Sequence, residues 1–374
     1  MTSYRVTWRG PLGRLSGIGI ASRAYVRSLR RLGVDVRTTG RNNKPGTRQT
    51  GNKRNILIYH YPPHTLDFKK ARKQYHPILL NTVWETTRIP RRWLSSINRF
   101  DAVCVPSTHN LKAMKNSGVK VPVYIVPHGV GSGSNSRIKR GRSVASPQRP
   151  FVFLSVFGFQ HRKNPETLLR AFWEEFSPKD NATLVIKTNG YAPGENENWI
   201  KQRILRYKSS LPIRKKTAKL AVIARRMNSG QMKQLYNRGD VYVLPTRGEG
   251  VGLPFLEAMS SGLPVIATAW GGQMDFLNSR NSFLIPYKLK NPAASMNSRH
   301  SISRSFRSLF AEPGQQWAEV DVRSLRRIMR AAYENPSLCR KKGLQGKRDS
   351  LKWTWGRAGR AMKQAIERTI QTRG

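Results

Sequence analysis

Apolar runs alternate with helical periodicity along most of the chain. Residues 4–8 predict a strand, and a Gly-rich loop follows over 10–19. Ile20, Ala21, Ala24, Tyr25, Leu29 and Leu32 then recur at helical spacing until Gly33 stops the helix. Residues 34–36, 55–59, 78–83, 102–105 and 123–126 continue the strands. Strands that alternate with helices predict a parallel sheet covered on its faces. The pattern lapses over 131–150, a Gly/Ser/Arg-rich stretch that reads as a linker. It resumes with strands at 151–157, 183–187, 220–224, 241–244 and 264–267. Helices are predicted at 164–176, 254–261, 325–333 and 353–369. Residues 291–316, rich in Ser and Arg, lack a period and read as a surface insertion. The expected fold class is α/β, with two doubly wound Rossmann-like domains facing each other across a cleft. Their expected bounds are 1–130 and 151–350, with a last helix, 351–374, crossing back to the first domain. Ligands of such sheets lie beyond the carboxyl ends of the strands, so the loops there are the places to look for chemistry.

Composition narrows the class. The chain has 374 residues, of which 38% are hydrophobic, enough for two cores. Cys104 and Cys339 lie far apart, which excludes a disulfide scaffold or a cysteine zinc site and fits a reducing compartment. No Asp-x-Asp pair suggests a divalent ion, and no metal site is expected. Residues 1–11 lack the apolar core of a signal peptide. The nearest approach to a membrane span, 250–274, contains Glu257 and is broken by Pro254, Gly262 and Pro264. A cytoplasmic protein is expected, soluble or peripheral on the inner face of a membrane. Lys and Arg number 68 against 20 Asp and Glu, giving a formal net charge of +48. No fold requires that excess, so it bears on partners and environment.

The strongest local signal runs from Leu244 to Glu257, LPTRGEGVGLPFLE. It follows a strand and opens a helix, with Pro254 suited to the first helical turn. Gly250 and Gly252 allow close approach of the backbone to a ligand, and the amides from Gly250 to Leu253 together with the helix dipole form an anion site. Glu249 and Glu257 bracket that site, and paired carboxylates suit the vicinal hydroxyls of a sugar or ribose. Upstream, Arg162 and Lys163 stand together just past a strand end, a placement suited to phosphate. In a chain this basic, a solvated turn would account for them as well.

The Glu-x7-Glu run from Glu249 to Glu257, continued by Ala258 to Ala267, resembles the donor-binding core of family 4 retaining glycosyltransferases of the GT-B fold. Ser16-Gly17-Ile18-Gly19, Val126-Pro127-His128-Gly129, Arg162-Lys163-Asn164-Pro165 and Gly271-Gly272 extend the resemblance over most of the chain. The resemblance implies a nucleotide-diphosphate sugar as donor, with no cofactor required. It places Glu249 on the sugar hydroxyls and Glu257 on the ribose. Thr246, Gly250, Val251, Gly252 and Leu253 would line the donor, and Lys163 and Arg162 would neutralise the diphosphate. The commoner form has an Arg directly after the glycine where this chain has Phe159 after Gly158, and Arg162 is expected to take over that role.

Gly17 and Gly19 form a weakened dinucleotide fingerprint, but Asp35 falls too early for the ribose of NAD. Within the resemblance, their loop approaches the donor phosphates or the acceptor. Glu85 stands about where many members carry a His. It is assigned either to orienting the acceptor hydroxyl or to pairing with Arg88 or Arg91. His60, His64, His109 and His128 read chiefly as packed or surface rings, with His128 favoured at the domain junction. The charge suits a glycan or lipid-linked acceptor that is anionic or lies on an anionic membrane surface. Arg23, Arg27 and Arg30 on one helical face, and clusters at 69–73, 137–142, 214–219 and 340–348, carry that expectation. Two alternatives rank below it. One is glycosylation of nucleic acid, since dispersed cations also serve a phosphate backbone. The other is a non-catalytic protein that binds an anionic polymer.

Overall fold

The computed structural model describes residues 3–14, 16–40, 53–131, 149–299, 301–303 and 306–373. Most of the 131–150 linker and the 137–142 basic cluster lie outside them. The chain divides into two units. Unit 1 comprises Met1–Gly131 and Trp353–Gly374, and unit 2 is Ser132–Lys352.

Unit 1 holds a six-stranded sheet of β1 (Tyr4–Arg9), β2 (Asp35–Thr39), β3 (Arg54–Tyr59), β4 (Ile78–Asn81), β5 (Ala102–Val105) and β6 (Val123–Ile125). The order is β2-β1-β3-β4-β5-β6 and every pairing is parallel. Parallel sheets are covered on both faces, which is why β4, up to its closing Asn81, and β5 read as apolar runs rather than alternating ones. The helix Gly17–Arg31 follows β1 and ends at Gly33, whose φ of 77° is the left-handed turn the sequence marks. Its buried face of Ala21, Tyr25 and Leu29 joins Val6, Trp8, Ile56 and Ile58 in the core. The helix Trp355–Arg373 adds Ala358, Met362, Ala365 and Ile366 to the same core. Where the chain leaves unit 1 and where it returns, the two segments run side by side: Val130 N donates to Trp353 O at 2.8 Å, and Val130 and Thr354 form a parallel bridge.

Two histidines are built into this core. His60 Nδ1 shares a 2.8 Å hydrogen bond with Ser22 Oγ, and its ring meets Trp8 edge-on. His128 packs between Tyr25 and Trp355. Burial, helped by the nearby His128, pushes the His60 pKa down to about 3, and burial lowers His128 to about 4. Both rings therefore stay neutral in the folded protein where the unfolded chain would protonate them. Their contribution is full above the unfolded pKa of roughly 6.5 and drains away as pH falls from there through 4 to 3. The urea midpoint of unit 1 is expected to drop steeply between neutral pH and about pH 4, reflecting a loss of several kcal/mol of unfolding free energy in all. A midpoint that stays level over that range would mean the rings already carry charge in the folded state.

Unit 2 holds β7 (Phe151–Val156), β8 (Ala182–Lys187), β9 (Lys219–Ile223), β10 (Val241–Leu244), β11 (Val265–Thr268) and β12 (Ser282–Ile285), all parallel, in the order β12-β11-β10-β7-β8-β9. The order reverses between β7 and β10, so the loops after those two strands open onto the switch point where doubly wound sheets hold ligands. An antiparallel pair, β13 (Tyr287–Lys290) and β14 (Trp317–Val320), flanks this sheet. The expected surface insertion is thus corrected in part. Ser301, Ile302 and Ser303 are buried, and the stretch is bounded by paired strands. Cys104 and Cys339 are free and buried. Among the described residues no helix is long and apolar enough to cross a membrane, and no group of three His, Cys, Asp or Glu could hold a metal.

Candidate active site

Three loops of unit 2 converge at the switch point. The first follows β7. A short turn, His161–Lys163, ends at Asn164, which adopts φ 57° and ψ 47°. From that left-handed position the Asn164 side chain accepts from Thr167 N at 3.3 Å and caps the helix Pro165–Glu175. The turn delivers Arg162 and Lys163 inward, and both are 8% exposed. A cation with a long stem is rarely this deeply buried unless it is paired.

The second loop supplies the partner. Glu249 Oε1 accepts from Lys163 Nζ at 2.5 Å, and its Oε2 lies 3.5 Å from Arg162 Nη1. Arg162 also donates to the carbonyl of Gly248. The Thr246 hydroxyl is fully buried, with Glu249 Oε1 at 3.1 Å and the carbonyls of Arg162 and Gly248 at 3.2 and 3.3 Å. Burial alone would raise the Glu249 pKa, but Lys163 and Arg162 beside it hold it below the usual carboxylate range. Glu249 is therefore an anion clamped between two buried cations. The loop ends at Gly252, with φ 82° as N-cap of the helix Leu253–Ser260. A Cβ there would approach Phe255 Cδ2 to 2.5 Å, so only glycine serves. Gly250, Val251 and Gly252 are buried and Leu253 is half-buried. Glu257, one turn into the helix, is half-buried and accepts from Tyr236 Oη at 2.7 Å. Burial raises its pKa, against that hydrogen bond.

The third loop follows β11. Gly272 N donates to Glu249 O at 2.7 Å, and Gln273 Nε2 donates to Thr268 O and Trp270 O at 3.1 and 2.6 Å. Gln273 Oε1 and Asn164 Nδ2 are wholly buried and have no hydrogen-bond partner among the described residues. Buried polar atoms left unsatisfied in this way are uncommon and suit a site whose occupant supplies the missing bonds.

Beneath these loops lies a second ionic layer that the sequence reading missed. Arg247 is 4% exposed. It donates to His161 O at 2.5 Å, to Glu166 Oε2 at 3.3 Å and to Glu319 Oε1 at 2.8 Å, and it lies over the Trp317 ring. Its own amide donates to Arg162 O at 2.8 Å. Glu166 also accepts from His161 Nδ1 and from Ile302 N, at 2.7 and 2.8 Å. Burial pushes the Glu166 carboxyl up, yet His161 and Arg247 hold it at about 2. Arg247 thus ties the loop bearing Lys163 to the loop bearing Glu249. The available signal was scarcity: with only 20 acidic residues in the chain, Glu166 beside a basic turn stands out. Arg247→Gln is expected to lower the melting temperature of unit 2 by several degrees, because Glu166 and Glu319 lose their shared cation. An unchanged melt would remove Arg247 from the support of the site.

The remaining candidates lie in unit 1. Gly17 is exposed and Gly19 buried at the start of the first helix, and a Cβ on Gly19 would sit 2.1 Å from Arg14 O. Arg23 reaches back to Leu12 O and Arg14 O at 2.5 and 2.7 Å and braces that loop. Glu85 is half-buried after β4, and its backbone carries a hydrogen bond with His109, whose pKa burial lowers to about 4. His64 lies against Trp93.

Two six-stranded, all-parallel Rossmann-like domains place the chain in the GT-B fold class, the fold of the solved glycosyltransferase structures it resembles. Within that class, residues 148–298 of this chain match the model of the glycosyl transferases group 1 family. Sucrose-phosphate synthase from Thermosynechococcus elongatus superimposes with a TM-score of 0.67 at 16% identity, over 99% of this chain and 100% of that one. HepE of Anabaena, in a crystal structure with UDP and glucose, gives 0.67 at 13% identity, over 97% and 99%. A sulfoquinovosyl transferase of Arabidopsis thaliana is 46% identical over 57 residues, which are 15% of this chain and 11% of that protein. The matched stretch therefore spans a small part of that relative.

Proposed function

We propose that this protein is a retaining glycosyltransferase of family 4. It would move a hexose-type sugar from a nucleoside diphosphate donor to a glycan or lipid-linked acceptor that is anionic or lies on an anionic surface, reached from the cytoplasmic side. The observation that carries the reading is the clamp of Lys163 and Arg162 on Glu249 at the switch point. The family of residues 148–298 supports it, as does the UDP and glucose held by the HepE structure. The basic surface supports the acceptor class.

The clamp suggests how the donor loads. A diphosphate brings the negative charge that Glu249 now supplies to the two cations. As its oxygens take over Lys163 and Arg162, Glu249 is freed to accept hydrogen bonds from sugar hydroxyls. Gly250 to Leu253 and the start of their helix face the remaining charge. Glu257 accepts from the ribose hydroxyls. Thr246 acts through Glu249, as a positioning residue.

In the transfer itself, the bond from the anomeric carbon to the β-phosphate oxygen breaks and the acceptor oxygen bonds to that carbon from the same face. The acceptor's proton passes to the departing β-phosphate. Charge grows on the diphosphate as the bond breaks, so Lys163, Arg162 and the helix dipole stabilise the transition state more than the ground state. Glu85 is assigned to the acceptor side, and the loop of Gly17 and Gly19 to the donor phosphates or the acceptor.

A thermal-shift panel of UDP-, GDP- and ADP-sugars tests the reading. A matching donor at a hundred times its Kd is expected to stabilise the protein by about 2.7 kcal/mol, roughly 5–10 °C for a unit of this size. It should also be slowly hydrolysed without acceptor. Silence across the panel would sink the proposal. Glu257→Gln is expected to weaken the preferred donor ten- to hundredfold, since a charged acceptor of hydrogen bonds is lost. Undiminished affinity would remove Glu257 from the ribose.

A further inference from the structure

A groove of about 520 Å³ opens on unit 1 along the helix Gly17–Arg31. Its walls include Arg23, Arg27, Arg30 and Arg31, with Leu12 and Val26 as apolar surface, and among the described residues no acidic side chain lines it. At about 100° per residue, Ile20 and the four arginines fall within roughly 100° of arc, so they form one stripe along the helix. Asp35, near in sequence, is committed to Arg5 at 2.7 Å.

Two of the arginines are held in place by neutral groups. Arg23 donates to Leu12 O and Arg14 O, and Arg30 donates to Val36 O at 2.9 Å. These bonds fix the guanidinium planes without cancelling their charge. Arg27 and Arg31 are exposed. Four like charges around one recess repel each other, and an anion relieves that repulsion. All four are arginines rather than lysines, which favours forked recognition of phosphate over diffuse attraction. Ile20, on the same stripe, is 36% exposed.

We propose that this groove binds the phosphate of an anionic lipid head group at a bilayer surface, with Ile20 entering the apolar layer beneath. A phosphate polymer would satisfy the arginines but leave the exposed Ile20 without an apolar partner, so the lipid is the better match. The proposal rests on the acceptor side of the proposed function, an acceptor at an anionic surface, and is independent of the donor reading.

The test uses the full chain in flotation with phosphatidylcholine vesicles, with and without phosphatidylglycerol, at physiological salt. Wild type is expected to float only with the anionic vesicles. The double variant R27Q/R31Q is expected to lose partitioning by on the order of tenfold. K341Q/R348Q removes the same charge from unit 2 and is expected to bind as wild type does. Ile20→Ser is expected to weaken vesicle binding and leave binding of inorganic polyphosphate unchanged. Thermal melts confirm that each variant is folded. Equal loss in both double variants would reduce the effect to net charge and overturn the site. No loss in R27Q/R31Q would overturn it too. If R27Q/R31Q lost polyphosphate binding while vesicle binding stayed intact, the occupant would be a polymer and the lipid assignment would fall.

Discussion

Lys163→Ala is expected to lower kcat by about a hundredfold or more, with a smaller effect on the melting temperature. Its ammonium group sits 2.5 Å from Glu249 Oε1, in a site nearly closed to water. There a fixed cation acts on developing charge without reorganising solvent, and removal of one such donor costs about 2.7–4 kcal/mol of transition-state stabilisation. Arg162 stays within 3.5 Å of the Glu249 carboxylate, so the folded protein keeps a compensating charge. The two effects therefore separate. Steady-state turnover with the donor found by thermal shift should collapse, while the melt moves little. Lys163→Arg should recover only part of the rate, because a planar fork cannot take the place of a compact ammonium. Near-normal turnover in the alanine variant would take Lys163 out of the leaving-group site.

Glu249→Ala is expected to damage the fold as well as the chemistry. It strips the counter-charge from two buried cations and removes an acceptor of the buried Thr246 hydroxyl. Breaking a buried pair by removing one partner costs about 3–5 kcal/mol, or roughly 6–20 °C in a unit of this size. The same reasoning predicts a compensation. If a donor diphosphate displaces Glu249 from Lys163 and Arg162, an added nucleoside diphosphate should restore more melting temperature to Glu249→Ala than it adds to wild type. An equal shift in both proteins would show that the diphosphate does not compete for those cations, and the loading step would have to be abandoned.

Much of this was legible before any coordinates. Gly33 ends the first helix where the periodicity stops, and the Gly252–Pro254 turn opens a helix as its residues require. Both are local decisions made by residues with strong backbone preferences. The helix Pro336–Ser350 was hidden for a physical reason. Its buried face is Cys339, Gly343, Gly346 and Ser350, small residues that permit close packing without an apolar stripe. A Cβ on Gly343 would stand 2.3 Å from Gly262 O. The layer under the site was hidden differently. Arg247, Glu166 and Glu319 are 81, 72 and 153 positions apart in pairs, and nothing local in a chain with 68 cations distinguishes a buried arginine from a solvated one.

The paired segments at Val130 and Trp353 make unit 2 an insertion within unit 1. This sets an order on biogenesis. The helix carrying Ala358, Met362, Ala365 and Ile366 leaves the ribosome after all of unit 2 has been made. Until then Trp8, Tyr25 and Leu29 lack part of their covering, whereas unit 2 is contiguous and can close first. The usual N-to-C sequence of domain maturation is inverted. A released chain truncated after residue 352 should hold a protease-resistant second unit beside a first that is still open to cleavage.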